Sequence, residues 1–532
     1  MSTYDEVPYP TYALPQTHPR HLATIATLLG LAPPAANNCR ILELGCGNGG
    51  NIIPMAYASP ECECVGIDYS QKAIETGRQQ IEALQLNNIS LLQCSLDQLD
   101  ESLGTFDYIL CHGVYSWVSP NLQQAILHLF RQYLQPSGIG FVSYNTFPGW
   151  HQRGVIRKMM NHHVQRFPED SPTQRIQRAR QLLEFLVRAV PAQQSAYALS
   201  LRENLELLSN LPDAYLFHEY LEEYNEPTWF LEFCERLGEA GLRYLGDADF
   251  STMLPTYGFQ QEIRQELEDL APNLLEREQY LDFLRNRMFR QTLVCHQEIR
   301  PRYDVRADRV ASMFVASPLK QVDLQVDLTA GIEQEFRSPS DLTLITPHSH
   351  FKAALVLLQE AWPSTLPFSD LVVRATDLLS KVGINIDHET CSNSLAKSIL
   401  TTYTALSRPL IELTTHPAPF GLQWSDKPFA SELARLQAES TNLVSNLRHE
   451  SVKLGEIERF LLGLLDGENS MEDLEEQLVR RCQPSEAEST VLVDLRKKYQ
   501  EDHGEEWSKK ATQEVLQSLA RSALLIHSSI ST

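Results

Sequence analysis

The sequence predicts an α/β protein. A doubly wound, Rossmann-like parallel sheet with helical insertions comes first, and α+β, winged-helix-like domains follow toward the C-terminus. Three observations predict this. Residues 40–145 alternate short apolar runs with helix-like segments, the pattern of parallel strands covered on both faces. The run RILELGCGNGG, starting at Arg40, puts a glycine-rich turn between the first strand and the next helix. After residue 150 the apolar spacing becomes three and four, which is helical.

The strands read RILELG (40–45), CECVGIDY (62–69), ISLLQC (89–94), FDYILCHG (106–113) and GIGFVSYN (138–145). Between them lie QKAIETGRQQIEALQL and NLQQAILHLFRQYLQ as helices, with a Pro-x-Gly turn before the fifth strand. TQRIQRARQLLEFLVRAV and SLRENLELLSNL are amphipathic helices. PTWFLEFCERLGEAGLRYLGDADF reads as helix, glycine stop and strand, and FRQTLVCHQ as another strand, so these two runs can complete the sheet. KQVDLQVDL and SDLTLITPH follow as strands, then helices from 350 to 407 interrupted by PSTLPFSD. LGEIERFLLGLLDGENSMEDLEEQLVRR is two helices about an Asp-Gly turn; it and the pair near 350–382 suggest winged-helix units. These shifts divide the chain at 1–160, 161–300, 301–430 and 431–532.

Apolar residues make up 43% and charged residues 21%, as in ordinary globular proteins. No run approaches the ~18 apolar residues of a membrane span. The start, MSTYDEVPYPTYALP, lacks the basic and apolar regions of a signal peptide, so a cytoplasmic protein is expected. The ten cysteines are scattered, with Cys62 and Cys64 the only close pair; buried thiols and no metal are expected. The 45 basic residues against 68 acidic give a net charge of −23. That field repels phosphate backbones, so no nucleic acid is expected, and it suits cationic partners. The segment from 431 is itself acidic, which favours partner binding over DNA.

The glycine-rich turn carries Gly45, Cys46, Gly47, Asn48, Gly49 and Gly50. Its G-x-G-x-x-G pattern fits either a dinucleotide pyrophosphate or the methionine end of S-adenosylmethionine. The neighbours favour the second. Glu43 precedes the first glycine by two residues, and a carboxylate there suits an ammonium group and a cationic sulfur. Asp68 ends the second strand, where a carboxylate accepts both ribose hydroxyls. Tyr69 can lie against adenine, and Ser95 and Leu96 follow the third strand, where the adenine edge is read. His112 comes to the mouth after the fourth strand. This ordered set resembles the class I S-adenosylmethionine-dependent methyltransferases.

The phrases YDEVPYPTYALPQTHPRHLATIATLLGL, ILELGCGNGGNIIPMA, FDYILCHGVYSWV and VSYNTFPGWH are similar to one bacterial family. Its members carry a methyltransferase regulatory domain, matched here by LFHEYLEEYNEPTWFLEFCERLGEAGLRYLGDAD, and LRHESVKLGEIERFLLGLLDG resembles its C-terminal phrase. The family includes protein-lysine methyltransferases that act on outer-membrane proteins. The resemblance therefore implies a protein substrate with lysine as acceptor.

Acceptor-side candidates cluster after the fourth and fifth strands. Tyr144 and Asn145 are expected to position the amine, with Tyr115 beside them. His112 is expected as a hydrogen-bonding group on the cofactor side, with a general base as the other reading. Trp117 and Trp150 read equally as channel walls and as core. The N-terminal segment, with Tyr4, Tyr9 and Tyr12, reads as a lid or as a packed strap, and His218 as structural. A homodimer is possible on sequence grounds. A small-molecule methyltransferase and a non-catalytic cofactor-binding scaffold stay open as alternatives.

Overall fold

The computed structural model describes residues 3–99, 101–191, 195–253, 259–405, 410–417, 420, 424–483 and 490–526. Packing divides the chain into two units: Met1–Thr11, Asn38–Ala56 and Pro60–Arg300 form the first; Tyr12–Asn37, Tyr57–Ser59 and Pro301–Thr532 form the second.

Seven strands build the sheet of the first unit: β1 (Arg40–Leu44), β2 (Glu63–Asp68), β3 (Ile89–Gln93), β4 (Phe106–Cys111), β5 (Leu134–Asn145), β6 (Leu242–Asp247) and β7 (Phe289–His296). Their order is β3-β2-β1-β4-β5-β7-β6. The first five pair in parallel, and β7 inserts antiparallel between β5 and β6. The chain therefore runs outward from β1 to β3 and returns to β4 on the other side. Ligands of doubly wound sheets lie at this reversal, outside the carboxyl ends of the strands. Leu42, Leu44, Ile67, Ile109, Phe130, Val142 and Phe233 are among the core residues that cover one face.

In this unit the expected strands and helices form with small shifts. The Pro-x-Gly turn before the fifth strand is different. β5 begins at Leu134, directly after helix Pro120–Tyr133, and its register with β4 jumps from Phe106↔Leu134 to Tyr108↔Ile139. Pro136 and Gly138 thus lie in an irregularity of the ladder, which absorbs the residues that could not pair.

Helices Trp150–Val164, Pro172–Ala189 and Ala196–Ser209 pack through Ile156, Met160, Ile176, Leu183 and Leu201 into a separate helical cluster. Gln261–Leu270 and Leu274–Arg285 join β6 to β7. Arg290 on β7 is fully buried. It bonds Asp282 through Nε (2.8 Å) and Glu278 through Nη2 (3.1 Å), and lies 3.4 Å from Asp247 of β6. This ion network ties the last two strands to the helix between them.

In the second unit, Phe314–Ala316 lies between Leu366–Pro367 and Glu412–Thr414, all antiparallel. Helix Pro19–Leu28 belongs here, and its Thr24 hydroxyl donates to Leu413 O (3.2 Å). KQVDLQVDL forms only the short strand Lys320–Gln321. Val322 and Leu324 are exposed, so no layer faces the middle of this run, and Asp327 accepts from Thr329 N–H to turn the chain. The C-terminal part has a hairpin of Leu443–Ser445 with Ser451–Lys453. Helices Glu456–Leu464, Met471–Arg481 and Trp507–Arg521 share a core of Leu461, Leu474 and Leu516.

Candidate active site

β1 delivers the chain into the glycine-rich turn, and the turn is pinned to β2. Ile67 O accepts from Gly45 N–H (2.7 Å) and Cys46 N–H (3.0 Å). Gly45, Gly47 and Gly49 all have positive φ, +74°, +55° and +81°. A side-chain-bearing residue would hold this backbone at a cost of ~1–2 kcal/mol per position. The turn ends in helix Ile52–Ala58, whose first residues are buried.

Glu43 is the most unusual group here. Its side chain is buried, Oε1 accepts from Asn51 Nδ2 (2.7 Å), and Oε2 is buried without a partner. Burial, with Asp68 adding to it and Asn51 opposing, pushes its carboxyl up to about 8. An unpaired buried carboxylate oxygen is costly unless a cation reaches it. Asp68 uses both oxygens: Oδ2 accepts from Gly47 N–H and Oδ1 from Ser70 N–H, each at 2.8 Å. Each oxygen retains a lone pair for a ligand hydroxyl. Burial raises the Asp68 carboxyl, against the pull of those amides.

Tyr69 is 64% exposed beside Asp68, open to stacking. Ser95 donates to Asp97, a residue the sequence reading did not single out, and Leu96 is buried at the start of the turn Leu96–Gln98. His112 packs near Phe141 (5.9 Å) and Phe289 (6.1 Å), with Nδ1 buried and without a partner. Burial pushes it down to about 4, so it is a neutral hydrogen-bonding group and a poor base.

The acceptor-side candidates separate by strand alternation. Tyr144 and Tyr115 are fully buried in the apolar cluster, with Tyr144 stacked on Phe233 (4.1 Å) and its hydroxyl bonded to Thr292 Oγ1 (3.1 Å). Successive side chains on β5 point to opposite faces, so Tyr144 does not share a face with Asn145. The structure therefore does not bring the two together around one amine. Asn145 is buried with Nδ2 unpartnered. Its N–H donates to Ser116 Oγ (2.9 Å) and its C=O accepts from Thr228 N–H (3.1 Å). Beyond it, Phe147 stacks on His151 (4.1 Å) and meets Trp229 (5.2 Å), while Trp117 meets Trp150 edge-on (6.2 Å). Trp150 also donates to Asn225 Oδ1 (2.6 Å). Ser116 and Thr228 escaped the sequence reading because small polar residues far apart in the chain carry no local signal, and Trp229 because it lies far along the chain from Phe147, which it meets only in the fold. Among the described residues no group of three or more His, Cys, Asp or Glu is arranged to hold a metal ion.

Three families match the chain: "Methyltransferase domain" at 35–183, "Predicted methyltransferase regulatory domain" at 212–296 and "PKMT, C-terminal winged helix domain" at 426–524. The uncharacterized protein RP789 of Rickettsia prowazekii is 33% identical over 91% of this chain and 86% of its own length. The chain belongs to the regulatory-domain family of S-adenosylmethionine-dependent methyltransferases. Uncharacterized protein RP028 of the same organism is 42% identical over 44% of this methyltransferase and 93% of its own length. The structure of PKMT2 from Rickettsia typhi is 28% identical with a TM-score of 0.83, covering 98% of this chain and all of its own. The same protein in complex with AdoHcy gives a TM-score of 0.84 over 97% of this chain.

The residues of this methyltransferase fit its cofactor. Glu43 Oε2 is an orphaned acceptor for the ammonium end, the positive-φ glycines leave the backbone bare, and Asp68 has lone pairs for the ribose. S-adenosylmethionine supplies a methyl group activated on a sulfonium. The C-terminal winged helix agrees with the two helices expected about the Asp-Gly turn, now joined by a hairpin wing.

Proposed function

We propose that this methyltransferase transfers methyl groups to lysine side chains of a protein substrate. The observation that carries the reading is the full-length likeness to PKMT2 of Rickettsia typhi, a protein-lysine methyltransferase, together with the PKMT C-terminal winged helix domain. The geometry supports it in two ways. Asn145, its backbone held by Ser116 and Thr228, carries a buried side-chain amide with Nδ2 unpartnered at the carboxyl end of β5. Phe147, His151 and Trp229 form an aromatic wall beyond it. A lysine amine has a reference pKa of about 10.4 and must lose a proton before it attacks. An apolar wall disfavours the charged form and so assists that loss. The Asn145 amide oxygen can accept from the amine and align it; His112, pushed down to about 4, is too weakly basic to take the amine's proton, which leaves to solvent before attack, and serves the cofactor side.

On this reading residues 1–160 are catalytic, 161–300 are the helical regulatory region that completes the sheet, 301–430 are a middle α+β domain, and 431–532 serve packing or partner binding. The enzyme is taken as cytoplasmic, and its charge of −23 argues against a nucleic-acid substrate. No helix among the described residues is long and apolar enough to cross a membrane. The test is label transfer from methyl-labelled S-adenosylmethionine into denatured protein, with and without chemical blocking of lysines. Blocking should abolish incorporation. Label that persists after blocking, or appears only in small molecules, overturns the lysine assignment.

A further inference from the structure

We propose that the N-terminal segment, residues 3–11, is a strap that shapes the cofactor loop, with Thr11 as a positioning residue, and that His218 of the regulatory segment holds the strap in place. Thr11 sits on the glycine-rich turn. Its Oγ1 accepts from Gly50 N–H (3.0 Å) while its hydroxyl donates to Asn48 Oδ1. Two of the loop glycines make room for this residue. A Cβ on Gly47 would stand 2.6 Å from Thr11 Cγ2, and one on Gly50 would stand 2.6 Å from the Thr11 carbonyl carbon.

The strap is fastened again at the far side of the site. Asp5 Oδ1 accepts from Ser70 Oγ (2.6 Å), and Ser70 N–H donates to Asp68. Asp68 in turn accepts from Gly47 N–H. Strap, glycine loop and ribose carboxylate therefore form one hydrogen-bonded circuit. Between its two ends the strap meets the regulatory segment. His218 Nε2 faces Val7 O at 2.6 Å, its Nδ1 faces Glu222 Oε1 at 2.9 Å, and Tyr9 lies edge-on at 5.4 Å. Val7 also packs against the helical cluster. His218 is buried on a π-helical turn, Phe217–Leu221, a rare distortion that recurs at functional sites. A change at His218 thus reaches Asn48 and Gly50 through a continuous covalent and hydrogen-bonded path. By linkage, cofactor bound at the loop must tighten the strap on His218 to the same degree. The inference rests on the cofactor alone and stands whichever acceptor the enzyme uses.

The probe is S-adenosylhomocysteine on the full-length protein, read by calorimetry and by amide hydrogen exchange. In the wild type, ligand should slow exchange across residues 5–11 and Phe217–Leu221. Thr11→Val should weaken binding about fivefold, the weight of one neutral hydrogen bond, and Thr11→Ser should restore it. His218→Leu, remote from the loop, should weaken binding comparably and abolish the ligand-induced protection of 5–11. His218→Gln replaces it if the leucine variant does not fold. The double variant should bind no worse than the weaker single one, because both act through one circuit. Wild-type affinity in a folded Thr11→Val protein, additive effects in the double variant, or protection of 5–11 that ignores ligand would each overturn the proposal. Failure of the wild type to bind the probe would instead remove the cofactor assignment.

Discussion

Glu43 ties burial directly to ligand chemistry. With its carboxyl at about 8, it is mostly protonated near neutrality in the ligand-free protein. A cation beside it favours the ionised form, so binding of S-adenosylmethionine releases a proton. Affinity should therefore rise with pH up to about 8 and level off above, and Glu43→Gln should flatten the profile; calorimetry at several pH values checks both. The same shift acts on folding with a definite sign. A carboxyl raised from 4.5 binds more protons in the native state, so its contribution to ligand-free stability falls as pH rises from 4.5 toward about 8. Tyr144 and Asn145 give a second contrast. Tyr144→Phe removes a hydroxyl bonded to Thr292 in the core, so stability should drop by about 0.5–1.5 kcal/mol with turnover kept. Asn145→Ala should keep cofactor binding and lower kcat at least tenfold, read by single-turnover methyl transfer. Sequence placed both residues at the right strand end. It could not assign their faces, because that depends on where β7 and Phe233 pack.

The glycine-rich turn was legible as an element because its backbone demands are local. Three positive-φ glycines between a strand and a helix leave few other conformations. Its reach was not legible. The close approach of Thr11 to Gly47 gives Gly47→Ala two penalties: an αL strain of about 1–2 kcal/mol and a clash with the strap. The variant should melt earlier and bind S-adenosylhomocysteine more weakly, as thermal shift with and without ligand would show. Equal melting with preserved binding would mean the strap yields freely. The other elements show where local pattern suffices. Helix Pro172–Ala189 is marked by its apolar period and a capping box of Ser171 with Gln174, and it forms as expected. KQVDLQVDL has a strand's alternation and forms only two strand residues, because no layer covers Leu324.

Across the whole catalytic unit, one ionic knot decides how the sheet ends. Arg290, buried on β7, serves Asp282, Glu278 and Asp247, while Arg287 also bonds Asp247 (2.9 Å). Arg290→Met leaves three buried carboxylates with one arginine, so unfolding free energy should fall by about 3–5 kcal/mol in denaturant titration. A variant as stable as wild type would mean that protonation of Asp247 or Glu278 compensates; burial already raises both carboxyls. By itself the sequence determined the alternation of parallel strands with helices, the glycine-rich turn and the class of cofactor. Those signals lie within short stretches, where backbone sterics and strand ends constrain the chain. Tertiary structure alone decided that Tyr144 turns into the core, that Asn145 is pinned by Ser116 and Thr228, and that Thr11 and His218 reach the cofactor circuit. These are contacts between residues tens to hundreds of positions apart, and they depend on how faces pack, which no local periodicity encodes.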